Sequence, residues 1–177
     1  GISPFEIRAK CRRLKAQHGL DIIMIDYLQL MDLKQKVESR ERAVSEISKT
    51  LKAIAKELSI PVIALAQLNR GVEGRSDRRP MLSDLRESGS IEQDADVIMM
   101  LFREDYYDRD NPDVKGLSEV IIGKQRNGPT GTVKLRWEAN IGRFTSPEDG
   151  GGEHPLPPPP PQPIQMRQRG ASPGAGA

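Results

Sequence analysis

Cysteine occurs once in this sequence, as Cys11, so no disulfide can form within the chain. Histidine occurs twice, at His18 and His154, a separation that argues against a zinc site. No apolar run approaches the ~18 residues that a membrane-spanning helix needs, and the first residues lack the pattern of a signal peptide. Neither sign of charge dominates: 27 Lys and Arg stand against 25 Asp and Glu, a net charge of +2. Nucleic-acid binding would therefore depend on local patches rather than on a global polycation. A soluble, cytoplasmic protein without a membrane partner is the expectation. The first residue is not Met, which suggests a processed or excised piece. The 177 residues are enough for one domain with a core of its own.

Composition breaks near residue 146, where nine of the 14 prolines begin to accumulate and large apolar side chains run out. Such a segment buries too little surface to offset its ordering entropy, so 146–177 is expected to be a disordered Pro/Gly-rich tail. Pro157 to Pro161 should populate polyproline II, as a solvated spacer or as a docking motif for a proline-binding module.

Residues 1–145 alternate helix and strand patterns, which predicts an α/β domain with a mainly parallel sheet and right-handed crossovers. Ser3, Pro4 and Glu6 form a capping box, and a helix to about Gln17 places Ile7, Cys11 and Leu14 on one face. Cys11 reads as a core side chain, since nothing marks it as a thiolate. The run Ile22 to Ile25 reads as a strand buried on both faces. Val44, Ile47, Leu51, Ile54 and Leu58 then step by three and four along a helix over about 40–58. "SIPVIALAQ", "ADVIMMLFRE" and "SEVIIGKQ" supply further strands. In "TGTVKLRWE", Val133, Leu135 and Trp137 alternate onto one face after a turn at Gly128 to Gly131.

Three places carry candidate chemistry. Asp26 follows an apolar strand, where an acid can hold Mg²⁺ against nucleotide phosphates, directly or through water, or can simply cap the next turn. Gln67 ends another strand; its amide could report a γ-phosphate, or it could be a solvated loop residue. Arg70, Arg75, Arg78, Arg79 and Arg86 give five cations within 17 positions. With Gly71, Gly74 and Gly89 among them, they suit a mobile loop that tracks a phosphate backbone, or one that is merely solvated. In "IIGKQRNGPTG", Lys124 and Arg126 project the same way from an extended chain and suit an arginine finger. Gly123-Lys124 is not a phosphate loop, because Gln125 replaces the Ser/Thr and Ser118 stands where the first glycine belongs. No G-x-x-x-x-G-K-[ST] occurs anywhere in the chain.

Taken in order, "IMIDYLQLM", "IPVIALAQLNRGVEGRSDRRPMLSDLRESGSIEQDADVIMMLFRED" and "KQRNGPTGTV" closely resemble the RecA-like motor domain of bacterial replicative DNA helicases of the DnaB type. The resemblance covers roughly residues 3–145. It implies a RecA-like P-loop NTPase core, second half only, with ATP and Mg²⁺ as cofactors. By position it makes Asp26 the Walker B acid and Gln67 the sensor that links the γ-phosphate to the DNA loops. Arg86, Glu87 and Gly89 match the loop that touches single-stranded DNA. Arg126 matches the arginine finger, with Lys124 beside it, reaching the ATP of the adjacent subunit. The family works as a homohexameric ring that separates duplex DNA at the replication fork, and primase and a helicase loader are its partners.

The same resemblance places the phosphate loop, the catalytic glutamate and a collar domain upstream of residue 1. The phosphate-loop strand would lie beside the strand ending at Gln67, so its absence should leave a gap there. The chain alone is then expected neither to hydrolyse ATP nor to pack well as a monomer, and an N-terminal half becomes a natural partner. Two other readings compete: a non-catalytic single-stranded DNA-binding or assembly fragment, and a RecA-type recombinase-like ATPase.

Overall fold

Helix α1 (Pro4–His18) starts at the expected capping box. The Ser3 hydroxyl accepts from the Glu6 N–H at 3.3 Å, and the Glu6 carboxylate accepts from the Ser3 N–H at 2.9 Å. Two amide donors that the helix itself leaves unpaired are thereby satisfied. The computed structural model describes residues 1–33 and 39–147, without the side chains of residues 86–88. Ile7 and Cys11 are buried as expected, and burial pushes the Cys11 thiol pKa up, as suits a core side chain. Leu14 departs from the expectation and is 45% exposed. The last turns of α1 are held by polar contacts instead: Arg8 and Arg12 bind Glu57, and Lys15 donates to the Leu58 carbonyl. Leu14, about 200° around the helix from Arg12, faces away from that contact.

Strand β1 (Ile23–Ile25), helix α2 (Arg40–Leu58) and strand β2 (Val62–Ala64) form a parallel crossover unit, with Ile23 opposite Val62 and Ile25 opposite Ala64. The stripe Val44, Ile47, Leu51, Ile54 and Leu58 is buried as its spacing predicts, and Ile7, Cys11, Ile23, Leu28, Ile60 and Ile91 join it in the main core. Ser59 in the left-handed region ends α2, with its N–H bonded back to the Ala55 carbonyl.

Beyond this unit, helix α3 (Gly89–Asp94) follows directly on a 3-10 segment, Leu82–Ser88. Strands β3 (Val97–Arg103), β4 (Leu117–Gln125), β5 (Gly131–Glu138) and β6 (Arg143–Thr145) then make a four-stranded sheet in sequence order. All its pairings are antiparallel. The α/β class holds, with parallel pairing confined, among the described residues, to β1 and β2. No helix of crossover length separates β3, β4 and β5, so their short connections impose antiparallel neighbours. Strand β6 leaves no mark in the sequence, because three residues are too few for an alternation to register.

The expectation of strands buried on both faces is corrected. Met24 on β1 is 72% exposed and Leu101 on β3 is 63% exposed, whereas their neighbours Ile23 and Met100 are buried. Val97, Met99, Ile63 and Leu65 are uncovered in the same way. Each sheet packs one face onto α2 and the 3-10 segment, and nothing among the described residues covers the other. No hydrogen-bonded pairing joins β2 to β3 among the described residues. Gly123 explains itself by packing: a Cβ there would meet Met100 Cε at 2.6 Å and Leu82 Cδ2 at 3.1 Å. Residues 1–147 form one compact unit. The tail expected over 146–177 lies, past Pro147, outside the described residues.

Candidate nucleotide and DNA site

Asp26 and Gln67 come to the same end of the β1–β2 pair, because the strands are parallel neighbours and both residues follow their carboxyl ends. The pairing continues past the strands: the Leu65 N–H donates to the Ile25 carbonyl and the Leu28 N–H to the Leu65 carbonyl, each at 2.9 Å. Gln29, which no sequence pattern singles out, then closes the end. Its Nε2 donates to the Gln67 carbonyl and its Oε1 accepts from the Gln67 N–H, both at 3.2 Å. The Gln29 carbonyl in turn accepts from Arg40 at 2.8 Å, at the first residue of α2. The backbone of Gln67 is thus fixed while its side chain stays exposed. Asp26 is exposed too, and the Asp26–Tyr27 peptide is cis.

A cleft of about 200 Å³ opens beside this end, lined in part by Tyr27, Gln29, Arg40, Gln67, Asn69 and Asp84. Across it the Asn69 N–H donates to the Asp84 carbonyl at 3.0 Å. The backbone two residues after Gln67 is therefore bonded to the backbone two residues before Arg86. The side chains of Arg86 and Glu87 lie outside the described residues. Gly89 stands open, since a Cβ there would meet nothing within 4 Å.

The arginine-rich loop is less free than its composition suggests, and that expectation is corrected. Arg75 makes a two-point contact with Asp84 at 2.9 and 2.7 Å. Arg79 pairs with Glu119 and lies over Phe102, and Arg78 sits 5.0 Å above the Tyr107 ring. Aromatic and acidic partners on β3, β4 and the turn between them, far away in sequence, draw these cations onto the sheet. Burial raises the Asp84 carboxyl, but the hydrogen bonds from Arg75 and the Met81 N–H outweigh it and hold its pKa below the usual carboxylate range.

Lys124 and Arg126 lie elsewhere. At the end of β4 both reach the carboxyl end of α3: Lys124 donates to the Glu92 and Gln93 carbonyls, and Arg126 to the Gln93 carbonyl at 2.8 Å. Arg126 also pairs with Asp96 at 3.1 Å, and Lys52 of α2 binds the other oxygen of that carboxylate. Arg40 marks the Gln67 end of α2, and Lys52 is twelve residues further on, roughly 18 Å at about 1.5 Å per residue. The structure brings Asp26 and Gln67 together and keeps Arg126 with Lys124 apart from them.

Residues 1–146 match the family described as DnaB-like helicase C terminal domain. The chain belongs to that family. The replicative DNA helicase DnaC of Bacillus subtilis (strain 168) is 54% identical over 159 residues, 89% of this chain and 35% of that protein. The replicative DNA helicase DnaB of Leifsonia xyli subsp. xyli (strain CTCB07) is 60% identical over 139 residues, 78% of this chain and 30% of that protein. A solved structure of a DnaB-like replicative helicase and its interactions with primase matches with a TM-score of 0.77 at 50% identity, over 82% of this chain and 36% of that one. A second solved structure, of an isolated ATPase domain, has the same score and identity over 82% of this chain and 52% of that one. The chain spans about a third of the length of the curated relatives it matches. Its DnaB-type neighbours bear out the RecA-like fold.

The donor set fits Mg²⁺ held through phosphates rather than in a protein cage. Asp26 is a single exposed carboxylate at a strand end, and among the described residues no group of three or more His, Cys, Asp or Glu could hold a metal. Mg²⁺ keeps several waters and commonly takes one or two carboxylates plus phosphate oxygens. No helix among the described residues is long and apolar enough to cross a membrane.

Proposed function

We propose that this chain is the C-terminal part of the ATP-driven motor of a replicative DNA helicase, a cytoplasmic homohexameric ring that unwinds duplex DNA at the fork. The observation that carries the reading is the backbone bond from Asn69 to Asp84, which ties the Gln67 end of the β1–β2 pair to the segment holding Arg86, Glu87 and Gly89. A sensor and a DNA loop need such a rigid link if a change at the nucleotide is to reach the strand. Family membership favours the helicase over a RecA-type recombinase.

In this reading Asp26 supports Mg²⁺, through water or directly, and Mg²⁺ neutralises charge on the ATP phosphates. Gln67, fixed through Gln29, senses the γ-phosphate. The separation of Arg126 and Lys124 from that end suits a finger acting on the nucleotide of the adjacent subunit, where it stabilises charge developing in phosphoryl transfer. Single-stranded DNA is held at Arg86, Glu87 and Gly89, mainly through its backbone. The phosphate loop comes from a segment outside these 177 residues, and the uncovered apolar faces around Met24, Leu65, Met99 and Leu101 suit its docking. Primase and a loader are the further partners the family reading brings, primase being the one described with a neighbouring structure.

Arg126→Ala in the complete polypeptide tests the assignment. Hydrolysis should fall by ~10³-fold or more, the scale of arginine-finger losses, with nucleotide affinity largely kept. Turnover near the unsubstituted rate would overturn the finger role. For the chain on its own, the lack of any phosphate-loop motif favours a second reading, weak and strongly salt-dependent binding of single-stranded DNA without turnover.

A further inference from the structure

Asp96 is the residue on which the finger's surroundings converge. Its carboxylate takes Lys52 on one oxygen and the Arg126 guanidinium, at 3.1 Å, on the other. Its carbonyl accepts the Arg126 N–H at 2.9 Å, so the same residue fixes both the backbone and the head of Arg126. The guanidinium is also held by the Gln93 carbonyl at 2.8 Å, and Lys124 caps the neighbouring carbonyl of Glu92. Cations at a helix carboxyl end satisfy carbonyls that the helix leaves unpaired.

Stability alone does not account for this arrangement. The side chains of Asp96 and Arg126 are 54% and 47% exposed, and exposed ion pairs contribute only ~0–1 kcal/mol. What the contacts do provide is direction: three hydrogen-bonded points hold a long, flexible side chain in one place. The hydrogen bond from Lys52 leads in keeping the Asp96 carboxyl below the usual carboxylate range; partial burial works against it, and Arg126 and Lys124 add to it. The anchor therefore stays ionised at neutral pH.

The geometry also fixes what moves with the finger. Helix α3 is six residues long and starts at Gly89, where the DNA-loop segment Leu82–Ser88 ends. Arg126 grips its other end. We infer that Asp96 is the positioning residue of Arg126, holding it against the carboxyl end of α3 so that a displacement of the loop at Arg86 to Gly89 carries to the finger. Lys52 anchors Asp96 to α2, which gives α3 and β4 a fixed reference. This rests on the reading of Arg126 as the finger.

The test uses the complete polypeptide with Asp96→Asn, Asp96→Glu and Arg126→Ala, measuring ATP turnover with and without single-stranded DNA. Asp96→Asn should lower the DNA-stimulated kcat by ~10- to 100-fold, the cost of a reacting group misplaced by about 1 Å. The KM for ATP should stay within ~2-fold, since ground-state binding is not at issue. Unstimulated turnover should fall less, and Asp96→Glu should recover most of the stimulation. An inactive Arg126→Ala beside an Asp96→Asn of unchanged kcat would overturn this inference and leave the finger reading standing. An active Arg126→Ala would remove the finger reading, and this inference with it. Stimulated and unstimulated rates falling in proportion, with a lowered melting temperature and no recovery by Glu, would reduce Asp96 to a structural role and also overturn it.

Discussion

Asp84 accepts two hydrogen bonds from Arg75 and one from the Met81 N–H, and it is 7% exposed. Asp84→Asn would keep the shape but lose the charge that Arg75 faces, at a cost of ~1–3 kcal/mol in a denaturant titration at neutral pH. The sign with pH follows from the lowered pKa. A carboxyl held below its unfolded value contributes fully above about pH 4 and loses that contribution as pH falls through the folded value. Asp84→Asn should therefore flatten the acid side of the stability profile; an unchanged slope would mean that Arg75 and Asp84 do not form the pair described. Residues of this kind are the least legible in the sequence. Asp26 and Gln67 stand out because each follows an apolar run. Gln29, Asp84 and Asp96 take their meaning from partners 9 to 44 positions away, which no local pattern reports.

At the scale of elements, helices are legible in the sequence and strand burial is not, for one reason. A helix carries its own evidence of a buried stripe: Ser3 and Glu6 mark a start, and five residues stepping by three and four mark the face of α2. An apolar strand says that its residues are apolar, not what covers each side. Ile54 and Leu14 make the contrast measurable. Both lie on predicted apolar helix faces, but Ile54 is 0% exposed and Leu14 is 45% exposed. Ile54→Ala should cost ~2–5 kcal/mol by the transfer and cavity terms of a filled core. Leu14→Ala should stay near ~0.5 kcal/mol, as surface substitutions do. Equal losses in denaturant midpoint would contradict a packing of α1 that leaves Leu14 outside the core.

At the scale of the whole molecule, two sheets share one set of covering elements and leave their other faces bare. The bare faces and the missing phosphate-loop motif point the same way: the motor reads as complete only with a further segment. Within the chain, the segment Leu82–Asp94 lies between two bonds, the one from Asn69 to Asp84 at its front and the one from Arg126 to Gln93 at its back. A loop held at both ends is what coupling two nucleotide sites to one DNA strand requires. The most direct measurement is ATP turnover, with and without single-stranded DNA, after this chain is mixed with a separately made segment carrying the phosphate loop. Turnover that appears only on mixing, rises with DNA and disappears with Arg126→Ala is the result predicted. A folded, associated mixture that stays silent, or one whose turnover survives Arg126→Ala, would contradict the account.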